Sequence, residues 1–192
     1  MPSQFSVLLC ALCVMVLHSS AQGESKKVSV QSTDYSAWVN CGPSNILNVA
    51  KLSIPSHITV PGSVSVSFVG ELKAPVKAPV TIKLSLKRKL AWKWVKFPCL
   101  RGFGSCTYND ICQQLDEIFP GDTCPSLVMS AGGSCQCPLK PGMLTIPPTT
   151  LHIPKLVVPG FLANGKYRVE VKAFSGSQLI TCVQTTVNLK VK

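Results

Sequence analysis

From Ser63 to Phe68 the chain reads S-V-S-V-S-F, an alternation of apolar and small polar residues without a fault. A period of two sends Val64, Val66 and Phe68 to one face and three serines to the other, the mark of a β-strand with one dry and one wet side. Val80 to Lys87, V-T-I-K-L-S-L-K, repeats the pattern with Ile82, Leu84 and Leu86 on the dry side. Tyr167, Val169, Val171 and Ala173 alternate with Lys166, Arg168, Glu170 and Lys172, and a longer alternation around Cys182 runs from Leu179 to Val191. Helical spacing occurs in one place, where Asp110 can cap a short helix carrying Ile111, Cys112, Leu115 and Ile118 before Pro120-Gly121 stops it. The rest reads as short strands and Pro/Gly-rich connections, with 15 prolines in all. This predicts an all-β fold, an antiparallel sandwich or cup with one short helix.

The start of the chain changes the cysteine count. Val7 to Leu17 is an apolar run too short to anchor in a bilayer, followed by the small-x-small site Ser19-Ser20-Ala21. Residues 1–23 read as a signal peptide cleaved after Ala21 or Gly23, leaving 24–192 as a single soluble domain in the secretory pathway, lysosomal or extracellular. Cys10 and Cys13 leave with the peptide, so eight of the 10 cysteines remain. Six of them fall between Cys99 and Cys137, at Cys99, Cys106, Cys112, Cys124, Cys135 and Cys137, while Cys41 and Cys182 stand near the two ends of the mature chain. Zinc would want paired C-x2-C spacing or intervening histidine, and neither is present. An even count in an oxidising compartment reads as four disulfides and no metal site.

Catalytic chemistry finds little support. Acids number 8, the mature histidines His57 and His152 are isolated in sequence, and no nucleophile motif such as G-x-S-x-G occurs. No catalytic residue and no cofactor is expected, and the chain reads as a non-enzyme. Lys and Arg number 19, for a formal charge of +11. In a secreted protein such a balance points to anionic lipid, glycan or an acidic protein, and not to nucleic acid. The densest run is Lys73, Lys77, Lys83, Lys87, Arg88, Lys89, Lys93, Lys96 and Arg101, with no acid among them. A solvated strand face explains part of it; docking on an anionic membrane surface would explain the remainder.

Several connections are apolar where loops should be polar. Leu156-Val157-Val158-Pro159-Gly160-Phe161-Leu162 surrounds a Pro-Gly that prevents regular helix; Ile58-Thr59-Val60-Pro61-Gly62 is a shorter case. Trp92 and Trp94 sit on one side of an extended segment beside Lys93 and Lys96. Any one of these could tuck under the domain, but three together, rimmed by lysine, mark a lipid-contacting edge. The expected rim is Ile58, Val60, Trp92, Trp94, Val157, Val158, Phe161 and Leu162. Val64, Val66, Phe68, Ile82, Leu84 and Leu86 are the expected lining of the interior.

Specific tracts carry a resemblance. Trp38-Val39-Asn40-Cys41, Val60-Pro61-Gly62, Trp94-Val95-Lys96-Phe97-Pro98-Cys99, Gly104-Ser105-Cys106-Thr107-Tyr108 with Cys112, Cys135-Gln136-Cys137-Pro138-Leu139-Lys140 with Gly142, and Gly165-Lys166-Tyr167-Arg168 resemble the ganglioside-activator branch of the MD-2-related lipid-recognition family. The likeness runs from about Tyr35 to Leu189. It implies an antiparallel cup with an internal lipid cavity that lifts a glycosphingolipid such as GM2 ganglioside, or a phospholipid, from a membrane. It also implies presentation of that lipid to a soluble lysosomal β-hexosaminidase. By matching positions it implies the bridges Cys41–Cys182, Cys99–Cys106, Cys112–Cys137 and Cys124–Cys135.

The chain departs from that pattern in places. Phe161 stands where the family has tryptophan, Ser63 replaces a glycosylated asparagine, the segment after Cys124 is shorter, and Lys155 replaces an acid. Two function classes follow: a lipid-transfer protein that activates a hydrolase, or a basic secreted recognition protein acting through a receptor or a membrane.

Overall fold

The structure, a computed structural model, describes residues 34–43, 46–100, 102, 104–121, 123–155 and 164–192. The signal-peptide reading and the apolar stretch 156–163 lie outside the described residues. Among the described residues ten strands are formed: β1 (Trp38–Asn40), β2 (Leu47–Ser53), β3 (His57–Val60), β4 (Gly62–Leu72), β5 (Val80–Leu90), β6 (Lys93–Lys96), β7 (Thr107–Tyr108), β8 (Gly142–Ile153), β9 (Asn164–Ser175) and β10 (Gln178–Val191). Two helices, α1 (Ile111–Ile118) and α2 (Ser126–Ser130), lie between β7 and β8.

The strands make two sheets. One is three-stranded, in the order β2-β4-β8; the other is seven-stranded, β1-β10-β9-β5-β6, with β3 also on β10 and β7 also on β5. Pairings are antiparallel except β3 on β10, which is parallel with Ile58 opposite Leu189 and Val60 opposite Val191. The large sheet is centred on the two longest alternating segments. Leu84 faces Val171, which in turn faces Val183, so the dry positions of three neighbouring strands align on one face. Lys83 opposite Lys172 begins the wet face behind them.

Two expectations need correction, and one strand is unexpected. The segment Ile58–Val60 is strand β3 and not a loop; its short length and the flanking Pro55 and Pro61 hide a pairing whose partner lies more than a hundred residues away. A second helix exists: α2 is five residues long, too short to show a period, and begins after Pro125 in an extended conformation. Strand β8 contains Pro147-Pro148, which argue against a strand on sequence alone. It tolerates them because it is an edge strand, and because it advances from Ile146 to Thr149 while β4 advances only from Phe68 to Val66. The extra residue is a bulge that switches the inward parity of β8 from even to odd positions.

Disulfides fasten the parts that sheets do not. Cys41–Cys182 joins the end of β1 to the middle of β10, with Cys182 wholly buried. Cys112–Cys137 clamps α1, Cys124–Cys135 holds the segment leading into α2, and Cys99–Cys106 closes the turn before β7. Asp110 caps α1 by accepting a hydrogen bond from the Gln113 N–H at 3.4 Å. Gly104 at φ 106° is required there, because a Cβ would lie 2.1 Å from the Pro98 carbonyl oxygen. Cys112 joins Ile46, Leu72, Val76, Val80 and Ile180 in a buried cluster at one end of the sandwich.

The Cys41–Cys182 bridge closes 141 positions of chain, which by loop entropy stabilises the fold by roughly 5 kcal/mol. Replacing both cysteines with serine is therefore expected to remove a large share of the total stability, read as a lower denaturant midpoint, with a larger m-value because the unfolded chain is no longer cross-linked. Non-reduced peptide mapping of the parent should recover the 41–182 pair; Cys41 joined to a cysteine of the 99–137 cluster would refute it.

Candidate functional site

Register and parity place every inward position. On the large sheet the inner face carries Val80, Ile82, Leu84 and Leu86 of β5, Tyr167, Val169, Val171 and Ala173 of β9, and Thr181, Val183, Thr185 and Val187 of β10. On the small sheet it carries Val64, Val66, Phe68, Gly70 and Leu72 of β4 with Leu144, Ile146, Thr149 and Leu151 of β8. In a filled sandwich the mid-strand positions are the deepest. Here the order is inverted. The cluster around Leu72, Val76 and Val80 closes one end and is buried, yet Leu84, Val171 and Val183 on one sheet and Val66, Phe68 and Ile146 on the other are only half-buried. They belong to neither of the two buried clusters. Among the described residues the middle of the sandwich is walled by apolar side chains that stay half-buried.

The opposite end, called here the open end, lies at the other tips of these strands. It gathers the β5–β6 turn with Trp92, the Pro61 turn between β3 and β4, the chain leaving β8 at Ile153, the start of β9 at Asn164 and the end of β10. Beneath it Tyr167 and Val187 form a second buried cluster with Ile54, Ile58, Leu86, Phe97 and Leu189. Burial lifts the Tyr167 phenol above the ordinary tyrosine range, and the nearby Arg88 guanidinium pulls it back in part. Arg88 donates to the Asn164 carbonyl at 2.7 Å. Gly165, at φ 153°, makes room for it, since a Cβ there would stand 2.9 Å from Arg88 Nε. Tyr108, on β7, is likewise raised by burial and donates its hydroxyl to the Gly102 carbonyl at 2.8 Å.

The residues named from sequence fall into three groups. Val66, Phe68, Ile82, Leu84 and Leu86 all lie on the inner faces; Val64 does too, but is buried opposite the buried Leu151. The Phe68 ring folds over Gly70, where a Cβ would be 2.7 Å from Phe68 Cζ. Trp92 projects at the open end, 83% exposed, and Ile58, on β3 at the other margin of the sheet, is half-buried in the Tyr167 cluster. Val157, Val158, Phe161 and Leu162 lie outside the described residues.

Two rim assignments do not match the geometry. Val60 is 1% exposed, part of the wall rather than the lip, with its carbonyl accepting from the Lys192 N–H. Trp94 is on the opposite side of the sheet from the interior. The tight turn between Leu90 and Lys93, with Ala91 at φ 51°, breaks the parity with Trp92, and Trp94 pairs with Lys89 on the outer face. There Arg168 lies 4.2 Å above its ring.

Sequence reading missed Leu144, Ile146, Val169, Val171 and Val183 as lining. Simple alternation marks the last three; the Pro147-Pro148 bulge hides the first two. Among the described residues no cluster of His, Cys, Asp and Glu could hold a metal ion. His57 contacts Ser56 Oγ at 2.9 Å and Asn188 Nδ2 at 3.4 Å. His152 Nδ1 lies 2.8 Å from Ser63 Oγ, and among the described residues no carboxylate joins this pair, so it has no group to orient a base.

Comparison with known proteins places the chain in a family. The family model described as the ML domain matches residues 35–189. The chain belongs to the ML-domain family. A Mus musculus protein named Ganglioside GM2 activator is 37% identical over 157 residues, covering 80% of this ML protein and 81% of its relative. A Macaca fascicularis protein of the same name is 32% identical over 179 residues, 92% of each chain. A solved Niemann-Pick type C2 protein from the Japanese carpenter ant overlays with a TM-score of 0.44 at 17% identity, over 80% of this chain and 99% of that one.

A hollow interior makes a sharp prediction for this ML domain. Adding bulk to a filled core costs about 1–3 kcal/mol, so Val76→Phe, at a position 1% exposed, should lower the melting temperature. Val171→Phe and Val66→Phe point into unfilled space and should leave it unchanged or raise it, in thermal unfolding followed by circular dichroism.

Proposed function

We propose that this protein is a non-enzymatic lipid carrier of the secretory pathway. It takes the tails of a membrane glycosphingolipid, GM2 ganglioside being the leading candidate, into the space between its sheets. It holds the sugar headgroup at the open end, where a soluble lysosomal β-hexosaminidase can reach it. The observation that carries this reading is the pair of apolar inner faces left half-buried at mid-strand. Each methylene moved from water into such a space is worth about 0.8 kcal/mol, so a two-tailed lipid supplies ample driving force and a polar solute very little. The names of the two relatives support the ganglioside headgroup and an activating role; the disulfide framework supports the oxidising compartment.

Approach to the membrane is served by the open end. Lys93, Lys155, Lys190 and Lys192 all lie in or beside its turns, and each cation near an anionic surface adds about 1 kcal/mol of attraction, weakened by salt. A second reading, a recognition protein acting through a receptor or anionic surface with the cavity secondary, draws on the net charge of +11. Native mass spectrometry of gently purified protein separates the two. A carrier brings lipid with it, and a receptor ligand with an idle interior does not.

Trp92→Asp combined with Phe161→Asp should slow transfer of a fluorescent ganglioside between vesicles at least about tenfold, equivalent to ~1.4 kcal/mol at the lip, with unchanged circular dichroism and disulfides. Transfer at the parent rate by this doubly substituted protein would overturn the proposed route for the tails.

A further inference from the structure

The run of cations between Lys73 and Arg101 is not one surface. Lys73 and Lys77 lie at the closed end, Lys93 lies at the open end, and Arg88 points to the inner side. What remains converges with cations of a distant strand. The outer face of the large sheet carries Lys83, Lys87 and Lys89 of β5, Lys96 of β6, and Lys166, Arg168 and Lys172 of β9. The register sets like charges side by side: Lys83 faces Lys172, and Lys87 faces Arg168 on one side and Lys96 on the other. Like charges directly opposite across strands destabilise a sheet. One carboxylate relieves them, Glu170, at 3.1 Å from Lys172. Among the described residues none is within ion-pairing distance of the other six.

We propose that this outer face is a binding surface for a linear sulfated polysaccharide of the glycosaminoglycan class. Two rows of cations cross the sheet, one at Lys83 and Lys172 and one at Lys96, Lys87 and Arg168. Strands are about 4.8 Å apart and four residues separate the rows along β5, so the rows are about 13 Å apart. That is a narrow strip which one extended polyanion can follow along the strands. Arg168 adds direction to charge. Its guanidinium rests on the Trp94 ring, 4.2 Å from the centroid. A stacked guanidinium keeps its planar fork in one orientation, suited to two oxygens of a tetrahedral oxyanion.

A membrane is the competing occupant, and the geometry disfavours it. The strip runs along the broad side of the sheet, while the opening of the cup is at the strand ends. A protein lying on a bilayer through this strip would aim its opening along the membrane and not into it. The face therefore leaves the open end free, and its occupant does not depend on which lipid the interior takes.

The test compares two proteins of equal net charge. Lys87→Gln, Lys96→Gln and Lys172→Gln empty the strip; Lys51→Gln, Lys73→Gln and Lys140→Gln remove the same charge elsewhere. On immobilised heparin in about 0.15 M salt, where exposed charges are screened within about 8 Å, the strip variant should bind at least tenfold more weakly than the parent. The control should stay within about twofold, and fully desulfated heparin should bind neither. Arg168→Lys, which keeps the charge and loses the fork, should also weaken binding several-fold. Because the strip variant relieves like-charge pairs, it should melt no lower than the parent. Heparin should raise the parent's melting temperature and not the variant's. Equal loss in both triple variants would reduce the effect to net charge and overturn the proposal. So would phosphatidylserine vesicles that bind the parent and not the strip variant, while heparin binds both alike.

Discussion

An unfilled interior is the constraint on which the rest of this structure depends. Close packing is the main source of stability in a small domain, and a wall of Leu84, Val171, Val183, Val66 and Phe68 that stays half-buried forgoes part of it. The missing cohesion has to come from elsewhere. It comes from one end, where Ile46, Leu72, Val76, Val80, Cys112 and Ile180 are packed as a conventional core. It also comes from four covalent ties, of which Cys41–Cys182 spans nearly the whole folded chain. The helical segment serves the same end: α1 closes the filled side of the cup with Cys112 and is held there by Cys137.

Much of the wall was legible in the residue pattern because a strand with one dry face writes a period of two directly into the sequence. β4, β5, β9 and β10 show it plainly. What escaped did so for reasons of parity and length. The Pro147-Pro148 bulge shifts β8 by one residue, so no single alternation runs through it. β3 is four residues of a parallel pairing whose partner is remote in sequence. α2 is five residues long.

The tryptophans teach the same lesson from the other side. Counting positions puts Trp92 and Trp94 on one face, but Trp92 is itself in the two-residue turn, next to Ala91 in the left-handed region, while Trp94 is in the strand that follows. One ring therefore projects at the open end and the other lies under a guanidinium on the outer wall. Position along the chain located both near the lip; only three-dimensional register separated their surroundings. The same register divided a single basic run into groups at the closed end, the open end, the inner side and the outer face.

The margins of the large sheet carry a consequence for the protein in solution. Along β10 the free side is shared by β1, at Val183 to Thr185, and β3, at Asn188 to Val191. Along β5 it is shared by β7, at Ile82 and Lys83, and β6, at Lys87 to Leu90. The outermost strands are thus two to four residues long, and the small sheet ends on one side in the proline-broken β8. The edges of the large sheet are too short, and the β8 edge too irregular, to template another chain readily, which leaves β2 as the one longer border. A molecule hollow enough to expose apolar walls when empty has every physical incentive to self-associate, and these frayed borders deny it most of the backbone seam along which fibrils would grow.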